Sequence, residues 1–249
     1  MSMITTTFWT VVVAASLTAA ATGLGAVPFL FVRKLSRFWE SVANAMAGGL
    51  MFAATYGLVA EGVNISPARL VVGMLIGLAC ILAGRKLIVR KEYAGIEKLG
   101  QFDARKAVLF VAVMTAHSFA EGVGVGVSFG GSSELATFIT AAIAVHNIPE
   151  GLAICLVLVP RGVPLWQAAL WSIFSSLPQP LMAAPSYLAV ASFEQFLPVG
   201  FGIAAGAMIW MVFAELIPDA HKNASSNVVG ITVTLAFALM IAFQYLLLK

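Results

Sequence analysis

The chain has 249 residues, of which 61% are hydrophobic and 10% charged, and its mean hydropathy is +0.98. A soluble domain is about 45–50% apolar and about 25% charged, so this chain cannot cover its apolar residues with polar surface and must have lipid as its solvent. Its net charge of +3 therefore reports membrane topology and lipid headgroups rather than a nucleic-acid partner.

Long apolar runs without strict alternation predict helices, because every backbone group inside a bilayer needs an internal hydrogen-bond partner. Each crossing takes about 20 residues. The charge-poor stretches therefore predict an all-α membrane protein whose single transmembrane domain covers residues 1–249 and contains eight spans. We expect these spans near residues 7–31, 41–60, 69–88, 107–128, 135–158, 165–190, 197–217 and 228–248.

The distribution of Lys and Arg predicts the orientation. If the N-terminus lies outside, all of the 14 Lys and Arg except Arg69 and Lys249 fall in inner segments. This positive-inside pattern places both termini outside. We expect a multi-pass integral protein of the plasma (inner) membrane, with an organelle membrane as the alternative. Cys80 and Cys155 each stand alone on a span, so no disulfide is predicted.

Two predicted spans carry a histidine and a glutamate four residues apart. Span 4 contains His117 and Glu121, and span 5 contains His146 and Glu150. At this spacing the members of each pair share one helix face. At 1.5 Å of rise per residue, His117 lies about 15 Å from the inner end of span 4 and His146 about 16 Å from the outer end of span 5. Both histidines therefore lie near the midplane, where ionisable groups indicate function.

Two imidazoles and two carboxylates at one depth predict a site for a divalent cation such as zinc, iron, manganese or cobalt. Either pair alone could instead form a hydrogen bond that bridges the helices, but two pairs at one level favour the metal. Pro149 fits this interpretation. It has no backbone N–H for the Val145 carbonyl, and a carbonyl freed in this way must face protein, water or an ion.

The motifs HSFAEG on span 4 and HNIPEG on span 5 resemble the paired signatures of the ZIP (Zrt/Irt-like) family of divalent metal transporters. The short loop 89–106, which contains no histidine, resembles the GufA-like branch of that family. The segment AELIPDAH at 214–221 fits the same family. The resemblance implies transport of Zn²⁺, or of a related cation such as Fe²⁺, Mn²⁺ or Cd²⁺, toward the cytosol without a resident cofactor. It also implies a homodimer and an elevator-like movement of spans 1, 4, 5 and 6 against the others.

The resemblance also implies which residues bind the metal. The main site would consist of two histidines and two glutamates, His117, Glu121, His146 and Glu150, and a second position would be lined by the neutral side chains of Ser118, Asn147 and Gln179. Family members with two metals usually have a carboxylate on span 6, where this chain has Pro178-Gln179-Pro180. Neutral oxygens cannot balance a second divalent ion. We therefore predict a single metal, with Gln179 hydrogen-bonded to a ligand or to a metal-bound water.

Four further polar residues are candidates for the metal pathway: Glu61, Glu215, Asp219 and His221. The last three lie at the predicted inner end of span 7, where the family has an exit path, and the alternative is a solvated helix end beside Pro218. Glu61 ends span 2 on the outer side, and the alternative is an interface anchor.

A weak internal similarity predicts inverted repeats. Residues 47–61 align without gaps on residues 205–219, with a shared Ala-Gly start and an acidic end. These segments lie on spans 2 and 7, which run in opposite directions. Inverted repeats are common in secondary transporters, so we expect a 3+2+3 arrangement in which spans 4 and 5 separate two three-span repeats.

Other function classes fit the sequence less well. An intramembrane metalloprotease would need an H-E-x-x-H motif, which is absent. A membrane diiron oxidase would need more than the three histidines of this chain. We therefore predict that the protein is not an enzyme. A passive metal-ion channel and a membrane metal-binding sensor remain as alternatives to a transporter.

Overall fold

The computed structural model describes residues 2–31, 36–95, 102–159 and 162–247. Every regular element in these ranges is helical, which confirms the all-α prediction. The helices are α1 Ser2–Ala21, α2 Pro28–Phe31, α3 Arg37–Ile65, α4 Pro67–Gly95, α5 Phe102–Ser128, α6 Ser133–Leu158, α7 Leu165–Ser175, α8 Pro178–Ser192, α9 Leu197–Met211, α10 Ile217–Ala220 and α11 Ser226–Leu247. Several basic residues of the predicted positive-inside pattern lie outside the described residues: Arg33, Lys34, Lys98, Arg161 and Lys249.

The described helices have the length and burial pattern of a membrane protein. By length and composition, six helical stretches in these ranges could cross a bilayer: Phe8–Phe31, Arg37–Ile65, Pro67–Gly84, Ser133–Leu158, Leu197–Ala220 and Ser226–Leu246. Large apolar side chains such as Leu181 and Leu239 are about two-thirds exposed, whereas the polar side chains of Thr18 and Gln179 are fully buried. This distribution is the reverse of that in a soluble protein, and it supports a multi-pass integral membrane protein.

The span expected over 165–190 consists of two helices rather than one. α7 ends at Ser175 and α8 begins at Pro178. Pro178 and Pro180 have no backbone N–H to donate to the preceding turn, so they are tolerated in the first turn of a new helix but not in the interior of a continuous one. The break places Gln179 in the first turn of α8, where it is fully buried.

The span expected over 197–217 changes its helical form before it ends. α9 continues into a π-helical turn, Val212–Leu216, and then into α10. Pro218 has no N–H for the Ala214 carbonyl. Ile217 N donates to Val212 O, five residues back, as in a π-helix. Such π turns are frequent at functional sites, and this one contains Glu215.

Glycines let the helices that carry the predicted site approach closely. α5 packs against α8, and α6 packs against the 3-10 turn Thr22–Ala26. A Cβ at Gly122 of α5 would lie only 2.8 Å from the Cα of Gln179, and one at Gly151 of α6 would overlap the Thr22 carbonyl. Such small residues allow close contact between membrane helices. Each of these glycines directly follows one of the two glutamates of the predicted site.

Candidate metal centre

Three of the four predicted ligands come together in the centre of the protein. Glu121 of α5 and His146 and Glu150 of α6 each offer one ligand atom, and these atoms all lie within 4.8 Å of one another. The three side chains are at most 3% exposed. His146 Nδ1 lies 3.4 Å from Glu121 Oε1. The cluster therefore contains the glutamates of both motifs and the histidine of α6.

The polar atoms of this cluster match the donor set of a divalent cation. Glu121 Oε1, His146 Nδ1 and both carboxylate oxygens of Glu150 are buried without a hydrogen-bond partner. A buried polar atom that remains unpaired costs about 1–3 kcal/mol, and more when it is charged. One imidazole nitrogen and two carboxylates suit Zn²⁺ and related ions. A divalent cation bound between them would satisfy these atoms and neutralise the two carboxylates.

The fourth predicted ligand, His117, contacts a residue of the predicted exit path. His117 Nε2 lies 2.9 Å from Glu215 Oε2, and the Glu215 side chain is 16% exposed. His117 is itself buried on the face of α5 that carries Glu121. The contact therefore joins the α5 motif to the π-helical turn, and it brings Glu215 next to the predicted main site rather than leaving it at a solvated helix end.

Gln179 reaches the same cluster from α8. Its Nε2 donates to Glu121 Oε2 at 2.7 Å. Its Oε1 accepts from Thr18 Oγ1 at 2.6 Å and from Asn147 Nδ2 at 3.1 Å. All four residues are fully buried. The side chain that replaces the usual family carboxylate is therefore a hydrogen-bond partner of a candidate metal ligand.

The other two residues of the predicted second position have different surroundings. The Ser118 hydroxyl is fully buried and donates to Met114 O of its own helix at 3.4 Å. Asn147 Nδ2 donates to Thr18 O at 2.6 Å, while Asn147 Oδ1 has no hydrogen-bond partner. Asn147 thus retains one buried oxygen that could face a cation, whereas the hydrogen bond of Ser118 runs along α5.

The remaining candidate pathway residues lie near helix ends and are more accessible. Asp219 Oδ1 lies 2.6 Å from Nζ of the exposed Lys222 and forms an ion pair with it. His221 is exposed and follows α10, and its N–H donates to Ile217 O at 3.2 Å. Glu61 is half-buried in the last two turns of α3. None of these three belongs to the central cluster of described residues.

Comparison with known families decides the class of the protein. Residues 83–244 match the family described as ZIP Zinc transporter. The chain belongs to the ZIP family. Its relatives in this family are named as transporters, so it is not an enzyme.

Three ZIP relatives show how far the similarity extends. The chain is 48% identical over 231 residues to an Arabidopsis thaliana protein named as a candidate zinc transporter. This match covers 92% of this chain and 37% of the Arabidopsis protein. It is 30% identical to Zinc transporter GufA of Myxococcus xanthus, over 85% of this chain and 88% of the relative. It is 33% identical to Zinc transporter ZIPB of Bordetella bronchiseptica, over 89% of this chain and 76% of the relative. The family prediction is thereby confirmed, although the chain spans little more than a third of the Arabidopsis protein.

Thr18 was not predicted from the sequence. This residue of α1 contacts both Asn147 and Gln179, which are 129 and 161 residues away along the chain. A single threonine in an apolar helix is common, so nothing in the local sequence distinguishes it. Its role becomes visible only in the fold of this ZIP protein.

Proposed function

We propose that this ZIP protein carries divalent transition-metal cations across the membrane toward the cytosol, with Zn²⁺ as the principal cargo. The observation that carries the proposal is the buried cluster of Glu121, His146 and Glu150, whose ligand atoms lack hydrogen-bond partners. Three relatives named for zinc support Zn²⁺. The same donor set also accommodates Fe²⁺, Mn²⁺ and Cd²⁺.

Within this proposal, Glu215 receives the metal from the main site. His117 completes the main site with the three clustered ligands, as the family resemblance implies. Its contact with Glu215 at 2.9 Å supports a route from this site to the predicted inner end of span 7. Asp219 and His221 then line the inner side and Glu61 the outer side of the pathway. Ser118, Asn147 and Gln179 lie around the main site.

The hydrogen bonds support an elevator-type movement. Thr18, Glu121, Asn147 and Gln179 belong to spans 1, 4, 5 and 6, and one connected set of hydrogen bonds joins all four. These are the spans that the family resemblance assigns to the moving part. Such a network would keep the site intact while the four spans move together against spans 2, 3, 7 and 8.

The membrane arrangement is part of the same proposal. α7 and α8 together form one crossing and α5 forms another, which with the six apolar stretches makes eight. The spans form one domain over residues 1–249, in a 3+2+3 inverted-repeat order with both termini outside. Two such chains form a homodimer in the plasma membrane, as the resemblance implies.

Uptake into proteoliposomes tests the transport proposal. Purified protein should take up ⁶⁵Zn²⁺ with saturation, and unlabelled Zn²⁺ preloaded on the far side should accelerate the uptake by counter-transport. Flux proportional to concentration without counter-transport would indicate the passive channel. Binding without any flux would indicate the metal sensor. The near-complete burial of the cluster supports a carrier, because an open pore would expose its ligands to water.

A further inference from the structure

We propose that Thr18 and Asn147 fix the orientation of the Gln179 amide and thereby reserve one oxygen of Glu121, Oε1, for the metal. Both act as positioning residues. The inference rests on the proposed function, because it assigns a role in metal binding to residues that need not touch the metal. Thr18 belongs to none of the motifs that the sequence analysis identified.

A backbone carbonyl determines the orientation of the Asn147 amide. Thr18 O can only accept hydrogen bonds, so the Asn147 atom 2.6 Å from it must be the amide nitrogen, Nδ2. That nitrogen is also 3.1 Å from one polar atom of the Gln179 amide. An amide nitrogen carries only donors, so the Gln179 atom that faces Asn147 must be its oxygen, Oε1. The orientation of Asn147 therefore determines that of Gln179.

The Thr18 hydroxyl reinforces this orientation. Thr18 Oγ1 lies 2.6 Å from Gln179 Oε1 and 2.8 Å from Ala15 O, so its single proton is within reach of two acceptors. Gln179 Oε1 thus has two donors around it, one from α1 and one from α6. With the oxygen held on this side, Gln179 Nε2 faces Glu121 and donates to Oε2 at 2.7 Å.

As a consequence, the two carboxylate oxygens of Glu121 have different surroundings. Oε2 is occupied by the Gln179 N–H, whereas Oε1 has no hydrogen-bond partner and lies 3.4 Å from His146 Nδ1. An inverted Gln179 amide would instead place two oxygens 2.7 Å apart in a fully buried site, where a polar mismatch is most costly. Glu121 is therefore held in a pose that offers a single oxygen to the cation.

An alternative role for Asn147 is open to test. Its Oδ1 is buried without a hydrogen-bond partner, so Asn147 could act as a metal ligand through this oxygen. The positioning role uses Nδ2 and the ligand role uses Oδ1. Asn147→Asp separates the two, because aspartate keeps the Oδ1 oxygen and adds a negative charge but loses the donor nitrogen. A ligand role predicts tighter cation binding in this variant, and the positioning role predicts weaker binding.

The first experiment compares two threonines one helical turn apart. Thr22 is also fully buried, and its hydroxyl forms its hydrogen bond with Ser176 Oγ, at 2.8 Å. Zn²⁺ is titrated calorimetrically into the detergent-solubilised full chain carrying Thr18→Val, Thr18→Ser or Thr22→Val. We expect Thr18→Val to weaken the Kd about tenfold, as is typical for partners that orient a ligand. Thr18→Ser keeps the donor and should restore the affinity, and Thr22→Val should leave it unchanged.

The unfolding temperature of the metal-free protein distinguishes positioning from general stability. Each valine variant loses one buried hydroxyl, so both should lower that temperature by similar amounts. A purely structural role of Thr18 would leave the Kd equal in the two variants, and that result would overturn the proposal. The Asn147→Asp arm is independent of Thr18. Its Kd should weaken about tenfold, and unchanged or tighter Zn²⁺ binding would also overturn the proposal.

Two further variants separate this inference from the proposed function. If wild-type protein bound no Zn²⁺, or if Glu121→Ala and Glu150→Ala bound it as well as wild type, the proposed metal site itself would fail. If wild type bound Zn²⁺ and both alanine variants did not, yet Thr18→Val and Asn147→Asp bound like wild type, only the positioning role would fail.

Discussion

His117 Nε2 lies 2.9 Å from Glu215 Oε2, so a predicted metal ligand on α5 directly contacts a carboxylate on the π-helical turn of span 7. In this π turn Ile217 N bonds to Val212 O, and the next residue, Pro218, has no N–H to donate to Ala214 O. The sequence placed Glu215 in a group with Asp219, four residues later. The structure gives the two carboxylates different partners, since Asp219 pairs with Lys222 near the helix end.

The different partners lead to the first prediction. Glu215→Gln should lower the maximal rate of Zn²⁺ uptake about tenfold, equivalent to about 1.4 kcal/mol, because it removes the charge that would draw the cation from His117. Asp219→Asn should lower the rate much less, since its carboxylate is already paired with an exposed lysine. Initial rates of ⁶⁵Zn²⁺ uptake at matched protein density measure both. Equal effects of the two substitutions would contradict a special role for Glu215.

The second prediction concerns the central ligands. Glu150→Gln preserves the shape of the side chain but removes its negative charge, and His146→Ala removes the imidazole. Each should weaken Zn²⁺ binding by more than about 100-fold, the upper end of the losses seen for residues that only support a ligand. Cys155→Ala, a buried change further along α6, serves as the control and should bind Zn²⁺ normally. Wild-type uptake by the His146 or Glu150 variant at equal expression would refute the assignment.

The sequence predicted the clustering of Glu121, His146 and Glu150 better than the surroundings of these residues, for a physical reason. Helical periodicity alone puts residues i and i+4 on one face, so the His–Glu pairs could be recognised locally. The break before Pro178 was missed although the prolines indicate it, since membrane helices often tolerate proline when neighbouring groups satisfy the freed backbone. The role of Thr18 could not be predicted, because Asn147 and Gln179 lie at least 129 residues away along the chain and meet it only through tertiary packing.

The third prediction uses two glycines on one helix. A Cβ at Gly122 would lie 2.5 Å from Gln179 O, so Gly122→Ala must push α8 away from α5. This should destabilise the protein by about 1–3 kcal/mol, as overpacking does, and should weaken Zn²⁺ binding by moving Gln179 from Glu121. At Gly124 the nearest atom to an added Cβ is 3.6 Å away, an ordinary contact. Gly124→Ala should therefore be neutral or stabilising by about 0.4–1 kcal/mol. Thermal unfolding and Zn²⁺ titration of both variants check this contrast.

The fourth prediction concerns pH. Imidazole binds a metal only in its neutral form and a carboxylate only when ionised, so protons compete with Zn²⁺ for the same atoms. Binding should therefore weaken as the pH falls from about 8 to about 5, the range in which histidine is the usual titrating group. Calorimetry in buffers of different ionisation enthalpy should show that protons are released as Zn²⁺ binds. A Kd that did not change over this range, with no proton release, would exclude His146 and His117 as ligands.

The fifth prediction is that the site holds one metal rather than two. Ser118, Asn147 and Gln179 are neutral, so within the central cluster only Glu121 and Glu150 could balance a second ion, and two divalent cations there would retain two unbalanced positive charges. Two unit charges about 4 Å apart repel by about 4 kcal/mol at an effective dielectric constant near 20, and neutral oxygens do not offset this. The Gln179 N–H also occupies Glu121 Oε2, an oxygen that a bridging carboxylate would need.

Metal content and one substitution test this stoichiometry. Purified wild-type protein should contain one Zn²⁺ per chain that is lost in Glu150→Gln. Gln179→Glu replaces the donor N–H by a charged oxygen, which would balance part of the charge of a second ion, so it should raise the content toward two ions. Gln179→Met is the matched control, because it removes the same donor without adding charge and should not raise the metal content. Two fully occupied Cd²⁺ ions between α5, α6 and α8 in wild-type crystals soaked at low Cd²⁺ concentration would refute the single-metal prediction.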